Sequence, residues 1–218
     1  VVTDKGETIL TRADIEKGRQ VWQSIGGQQL GSIWGHGGYV APDWSADWLH
    51  REAEAVMDGW ARKESGVDSY KHLDATLQAG YRARLQKMMR TNTYDASTGT
   101  IRLDDDRVAA IAKVAAHYQS LFGTDPATAG LREAYAMRDG TVADAAHRRM
   151  LTAFYWWTAW AAVSERPGSD ITYTSNWPAD DLVGNKPPSS AFVWTVFSVL
   201  FLIAGIGLLG WHYAVNHG

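Results

Sequence analysis

Residues 21–48 read VWQSIGGQQLGSIWGHGGYVAPDWSADW, and the architecture turns on this stretch. From Gly26 to Gly38 glycine is too dense for a helix, a composition that suits backbone passing close to something bulky. Pro42-Asp43-Trp44-Ser45 then has the makings of a helix start. The helix it opens carries Trp48, Leu49, Ala53, Val56 and Trp60 toward a core at helical spacing. Upstream, Thr11-Arg12-Ala13-Asp14 has the capping-box pattern, with Asp in place of the usual Glu, and opens an amphipathic run ending near Ser24.

Further out, the pattern stays helical. Leu73 to Met89, Asp105 to Phe122 and Ala127 to Met137 each carry apolar residues three and four apart. Between the first two, Thr91 to Leu103 (TNTYDASTGTIRL) has β-formers on either side of Ser-Thr-Gly, which predicts a short hairpin. Thr141-Val142-Ala143-Asp144 offers another cap, before a long helix through Phe154, Trp157, Trp160 and Val163 that stops at Arg166-Pro167-Gly168. Ile171 to Pro188 (ITYTSNWPADDLVGNKPP) reads as an extended linker.

The linker leads into a charge-free run. From Pro187 to Gly218 there is no Asp, Glu, Lys or Arg, and the centre reads AFVWTVFSVLFLIAGIGLLGWHYAV from Ala191 to Val215. About 20 apolar residues cross a hydrocarbon core of about 30 Å, and this run is longer. Phe192 and Trp194 at one end, with Trp211, His212 and Tyr213 at the other, suit the two membrane interfaces. Ala191, Thr195, Ser198 and Gly205 recur on one stripe, a face that lets another helix approach closely. The fold class is therefore mainly α: a helical domain over residues 1–170 with one short hairpin, a linker over 171–188, and one transmembrane helix over 189–216. The polar start without a signal peptide and the stop just after a span read as a piece of a longer protein.

Composition removes several function classes. The 218 residues carry a net charge of −3 and no cysteine, which leaves no basic excess for nucleic acid and rules out disulfides, thiolate zinc sites, cysteine nucleophiles and thioether-linked haem. No zincin, Walker or nucleophile-elbow motif is present. His36, His50, His72, His117 and His147 fall at unrelated spacings on separate elements and do not read as a metal site. The acid groups Asp104-Asp105-Asp106 and Asp180-Asp181 read as solvated caps or turns rather than acid–base pairs.

With these readings in hand, the stretch around the glycines resembles the respiratory nitric oxide reductases of the haem–copper oxidase superfamily, specifically the single-chain, quinol-dependent type that serves denitrification. Related two-subunit enzymes carry a membrane-anchored cytochrome in which Cys-x-x-Cys-His precedes Gly-x-Gly-Ala-Tyr-x-Ala-Pro-Asp. Gly35-His36-Gly37-Gly38-Tyr39-Val40-Ala41-Pro42-Asp43 is similar to that second segment, and the first falls on Ser24-Ile25-Gly26-Gly27-Gln28. Ser24, Gly27 and Gln28 thus stand where the two thioether cysteines and the haem-ligating histidine would be, and they supply neither thiol nor imidazole. Ala46 to Glu52, the helix around Trp156 and Trp157, Ile171 to Pro178 and the final span follow in the family's order.

The resemblance implies a cytochrome c-like domain that has lost its haem, facing the periplasm from the bacterial inner membrane. It implies a membrane core elsewhere in the protein that holds haem b, haem b3 and a non-haem iron, and reduces two NO to N2O and water with two electrons and two protons. Quinol would deliver the electrons directly, and this stretch would act as a structural cap. It also implies a calcium ion near the haem propionates, to which Gly37 and Tyr39 contribute a carbonyl and a tyrosine oxygen. The implied partners are the rest of the membrane core, membrane lipid, quinol and NO, with homodimerisation left open. Trp22, Trp34, Trp44, Trp48 and Trp60 are candidates to fill the vacated haem volume. Read from the residues alone, a single-span periplasmic protein that binds a ligand, senses or assists assembly remains the alternative.

Overall fold

The computed structural model describes residues 1–217, with the side chain of residue 217 excepted. Contacts divide the chain into a unit over Val1–Lys186 and a second over Pro187–Gly218.

In the first unit, strand β1 (Val2–Thr3) precedes helix α1 (Arg12–Ser24) and a one-turn helix α2 (Gly27–Leu30). Strands β2 (Ser32–Ile33) and β3 (His36–Gly37) make a small hairpin before α3 (Trp44–Trp60), which runs on into a π-turn over Ala61–Ser65. Helix α4 (Ala75–Arg90), strands β4 (Tyr94–Asp95) and β5 (Thr100–Leu103), and helices α5 (Asp105–Leu121), α6 (Ala129–Ala134) and α7 (Ala145–Val163) complete it. The domain is mainly α, as its periodicity predicts.

The helix starts are chemically explicit. Thr11 and Asp14 close the reciprocal capping box of α1. Asp43, Asp74, Asp104 and Asp144 cap α3, α4, α5 and α7 with their carboxylates, each satisfying backbone N–H groups that have no intrahelical partner. At α7 it is Asp144, not Thr141, that takes this role; Thr141 turns its hydroxyl back to the Arg138 carbonyl.

Helices α3, α5 and α7 enclose the core, and α1 lies along α7. The contact between α1 and α7 is close enough that a Cβ on Gly18 would overlap the Met150 carbonyl and the Phe154 side chain. Trp44, Trp48, Trp60, Trp156, Tyr118, Tyr155 and Phe122 are fully buried. Trp48 stacks on Tyr118 at 5.1 Å, and Trp44 stacks on Tyr155 at 5.7 Å while meeting Phe122 edge-on. Rings of this size supply most of the apolar area such a core buries. A buried ion pair threads it: Arg107 donates to Glu52 at 2.7 Å, and the Trp48 indole donates to the other Glu52 oxygen. Satisfying both carboxylate oxygens is what makes a buried charge tolerable.

Four details differ from the sequence reading. The glycine stretch does hold a helical turn, α2, because Gly26 in the left-handed region (φ 68°) restarts the chain as a helix. The helix read over 127–137 is shorter, a 3₁₀ turn at Pro126–Thr128 followed by α6, and the chain turns away where Ala136 takes φ 53°. The hairpin gains a third strand, since β1 pairs in parallel with β5. Finally, much of the stretch read as an extended linker is folded onto the first unit: Thr172, Leu182, Val183 and Asn185 are buried.

The second unit is helix α8 (Ser189–His217). Its span over Ser189–Asn216 is long and apolar enough to cross a membrane. Thr195 and Ser198 return their hydroxyls to the carbonyls of Ala191 and Trp194, so these polar groups carry no unmet hydrogen bond into an apolar medium.

Candidate functional site: the glycine loop between α1 and α3

Helix α1 ends at Ser24, whose hydroxyl donates to the Val21 carbonyl at 2.8 Å. Gly27 sits against the Trp22 indole, so a side chain there would have to displace that ring. The Trp22 ring is buried and its N–H has no partner among the described residues. Gln28 is exposed, and its carbonyl accepts from the Gly38 amide at 2.5 Å. A shallow cavity of about 220 Å³ lies here, lined by Trp22, Gln23 and Gly26 to Gln29.

The loop beyond folds back over α2. Its amides are taken up in order: Ser32 donates to the Pro42 carbonyl, Gly38 to that of Gln28, and Ala41 to that of Leu30. Close packing fixes the glycines: a Cβ on Gly31 would meet the Pro42 carbonyl and the Trp44 indole, and one on Gly37 (φ 145°) would strike the Gly31 carbonyl. The bulky neighbours that the glycine density predicts are thus Trp22, Trp44 and the loop's own backbone.

One side chain braces this loop. Asp43 accepts from Ser32 Oγ at 2.7 Å and from the Gly35 amide at 2.6 Å through Oδ2, and from the Ala46 amide at 3.0 Å through Oδ1. It therefore ties β2, the turn between β2 and β3, and the start of α3 to one carboxylate. Beside it, the Trp34 amide donates to Ser45 Oγ, and the Trp34 indole donates to the Thr158 carbonyl of α7. Trp34 has φ 53°, a costly conformation for an aromatic residue that these bonds and its contact with Trp157 hold in place. As a sequence signal Asp43 is visible as a helix cap; its bonds to Ser32 and Gly35 are tertiary and give no local signature.

The braced loop ends in an exposed tip. Tyr39 is 87% exposed and Val40 61%, and the Tyr39 hydroxyl has no hydrogen-bond partner among the described residues. Tyr39 is on this tip, Gly37 two positions before it is the half-buried end of β3 paired with Ser32, and Ser24, Gly27 and Gln28 lie at the base. Among the described residues no three His, Asp or Glu side chains cluster as a metal site would. What the arrangement offers is a rigid surface element with an aromatic hydroxyl and backbone carbonyls at its end.

Residues 1–179 match the NorB cytochrome c-like domain family of the nitric oxide reductases. The chain belongs to this family. No curated protein matches it. In this cytochrome c-like domain of the nitric oxide reductase family, the absence of cysteine from the sequence leaves no thiol for a thioether, and the Trp22 ring occupies the space that a side chain at position 27 would need. The residues at the base of the loop do not fit a covalently held haem c. Five of the aromatics weighed for the haem volume divide accordingly: Trp44, Trp48 and Trp60 are core, Trp22 lines the base of the loop, and Trp34 bridges the loop to α7.

Proposed function

We propose that this chain is the amino-terminal part of a quinol-dependent, single-chain nitric oxide reductase, in which two NO, two electrons and two protons become N2O and water in a membrane core outside this stretch. The observation that carries the reading is the match to the reductase domain family over residues 1–179 in a chain without one cysteine. A domain of this family that cannot hold haem c by thioethers is no relay for electrons from a soluble cytochrome. Electrons therefore enter the membrane core from quinol. The core carries haem b, haem b3 and a non-haem iron, which supply the redox chemistry.

This domain acts as a periplasmic cap on that core at the inner membrane. The braced loop supports the reading: a tip as exposed as Tyr39 and Val40, flanked by Gly38 and Ala41 amides tied back to Gln28 and Leu30, suits docking. Calcium suits the same tip, being a hard cation that takes backbone carbonyl and other oxygen ligands. Gly37 would offer a carbonyl and Tyr39 its oxygen, with the acidic ligands coming from outside this stretch.

Membranes holding the full-length protein should consume NO and release one N2O for every two NO. If they do not, with haem b present and the protein intact, the chain is an anchored ligand-binding, sensing or assembly protein instead.

A further inference from the structure

In the segment that leads toward α8, one guanidinium gathers several ties to the domain. Arg90, the last residue of α4, donates from Nε to Glu165 at 2.8 Å and from its terminal nitrogens to Asn185 Oδ1 at 2.9 Å, the Asp170 carbonyl at 2.7 Å and Asn176 Oδ1 at 3.4 Å. Two of these partners relay the hold. Asn185 donates onward to the carbonyls of Ala162 in α7 and Pro178. Asn176 accepts from the Thr172 amide and donates its own amide to the Thr172 hydroxyl.

Other contacts add to the strap: Gln86 donates to the Leu182 carbonyl at 3.2 Å, His50 Nδ1 lies 2.9 Å from Asp180, Asn92 donates to the Glu165 carbonyl and the Tyr173 hydroxyl, and Tyr173 stacks on Trp160. The strap ends at Lys186, and Pro187 and Pro188 follow before α8 begins at Ser189. Only arginine presents a planar fork of donors able to meet these acceptors together; a lysine ammonium reaches one or two.

We propose that Arg90 is a positioning residue that clamps residues 165–185 to the domain, so that this segment is an ordered part of the first unit rather than a free linker. The inference rests on contacts within the first unit alone. It does not depend on which reaction the membrane core performs.

The test is hydrogen exchange on the full-length protein in detergent, comparing wild type with Arg90→Ala and Arg90→Lys. Both variants should speed exchange at residues 171–185 by about tenfold or more while α3 and α5 change little. Unchanged exchange at 171–185, or a uniform rise across α3 and α5, would overturn the clamp. Should the arginine variants fail to fold, Glu165→Gln and Asn185→Ala each remove one arm, and the same local pattern is required of them.

Discussion

Replacing Asp43 by alanine should open the glycine loop without unfolding the domain. The side chain gives α3 its cap through Ala46 and holds the Gly35 amide at 2.6 Å. Loss of a carboxylate cap costs about 1 kcal/mol, and a hydrogen bond to a charged acceptor contributes about 1.5–3 kcal/mol. Ser32 can turn its hydroxyl elsewhere and is left out of the sum. The loop should therefore open more readily by about 2.5–4 kcal/mol, which is roughly a hundred- to a thousandfold in the opening equilibrium. Amide exchange at Gly35 and Ala46 in the full-length protein reads this directly, with α5 amides as the internal reference. Asp43→Asn should fall between, because one amide oxygen can still cap α3 while the amide nitrogen meets the Gly35 N–H donor to donor. Acceleration below about threefold at both amides in Asp43→Ala, under roughly 0.7 kcal/mol, would refute the idea that this carboxylate braces the loop.

Further outcomes follow from the same geometry. The triple variant Ser24→Cys, Gly27→Cys, Gln28→His, made in a strain able to attach haem, should carry no covalent haem, because a side chain at 27 meets the Trp22 indole; a haem-stained band would contradict this. Tyr39→Ala should leave the domain's thermal midpoint nearly unchanged, as expected for so exposed a side chain, yet lower calcium retention and NO turnover; calcium retention and turnover equal to wild type without any chelator would remove Tyr39 from the site. Asp106 is partly desolvated, which opposes ionisation, but the Trp60 indole and Lys63 hold its carboxyl below the ordinary 3.8. A depressed folded-state value adds stability above the unfolded value that is lost as pH falls through the folded one. Acid unfolding below about pH 4 should thus be less steep in Asp106→Asn; an identical acid profile would show that Asp106 contributes nothing there.

Much of the architecture is legible in local chemistry. Caps at Thr11, Asp43 and Asp104 and apolar residues at helical spacing announce α1, α3 and α5, because both are properties of contiguous sequence. The Ser-Thr-Gly turn announces the β4–β5 hairpin, but β1 pairs with β5 across about a hundred residues and leaves no trace in its own two positions. The segment after α7 reads as a linker because it shows neither helical nor strand periodicity; its order comes from tertiary bonds, Arg90 to Asn185 and Asn185 to the Ala162 carbonyl. At the site, glycine density shows that the backbone must pass close to something. Only the fold shows that the bulk at Gly27 is Trp22 and at Gly31 is Trp44. The exposure of Tyr39 is likewise invisible to periodicity, since it sits between elements.

The central claim is that electrons reach the membrane core without passing through this domain. NO consumption by membranes holding the full-length protein, measured with reduced quinol and separately with reduced cytochrome c as donor, tests it most directly. Turnover is expected with quinol, and none above background with cytochrome c. Turnover sustained by cytochrome c alone would contradict the claim.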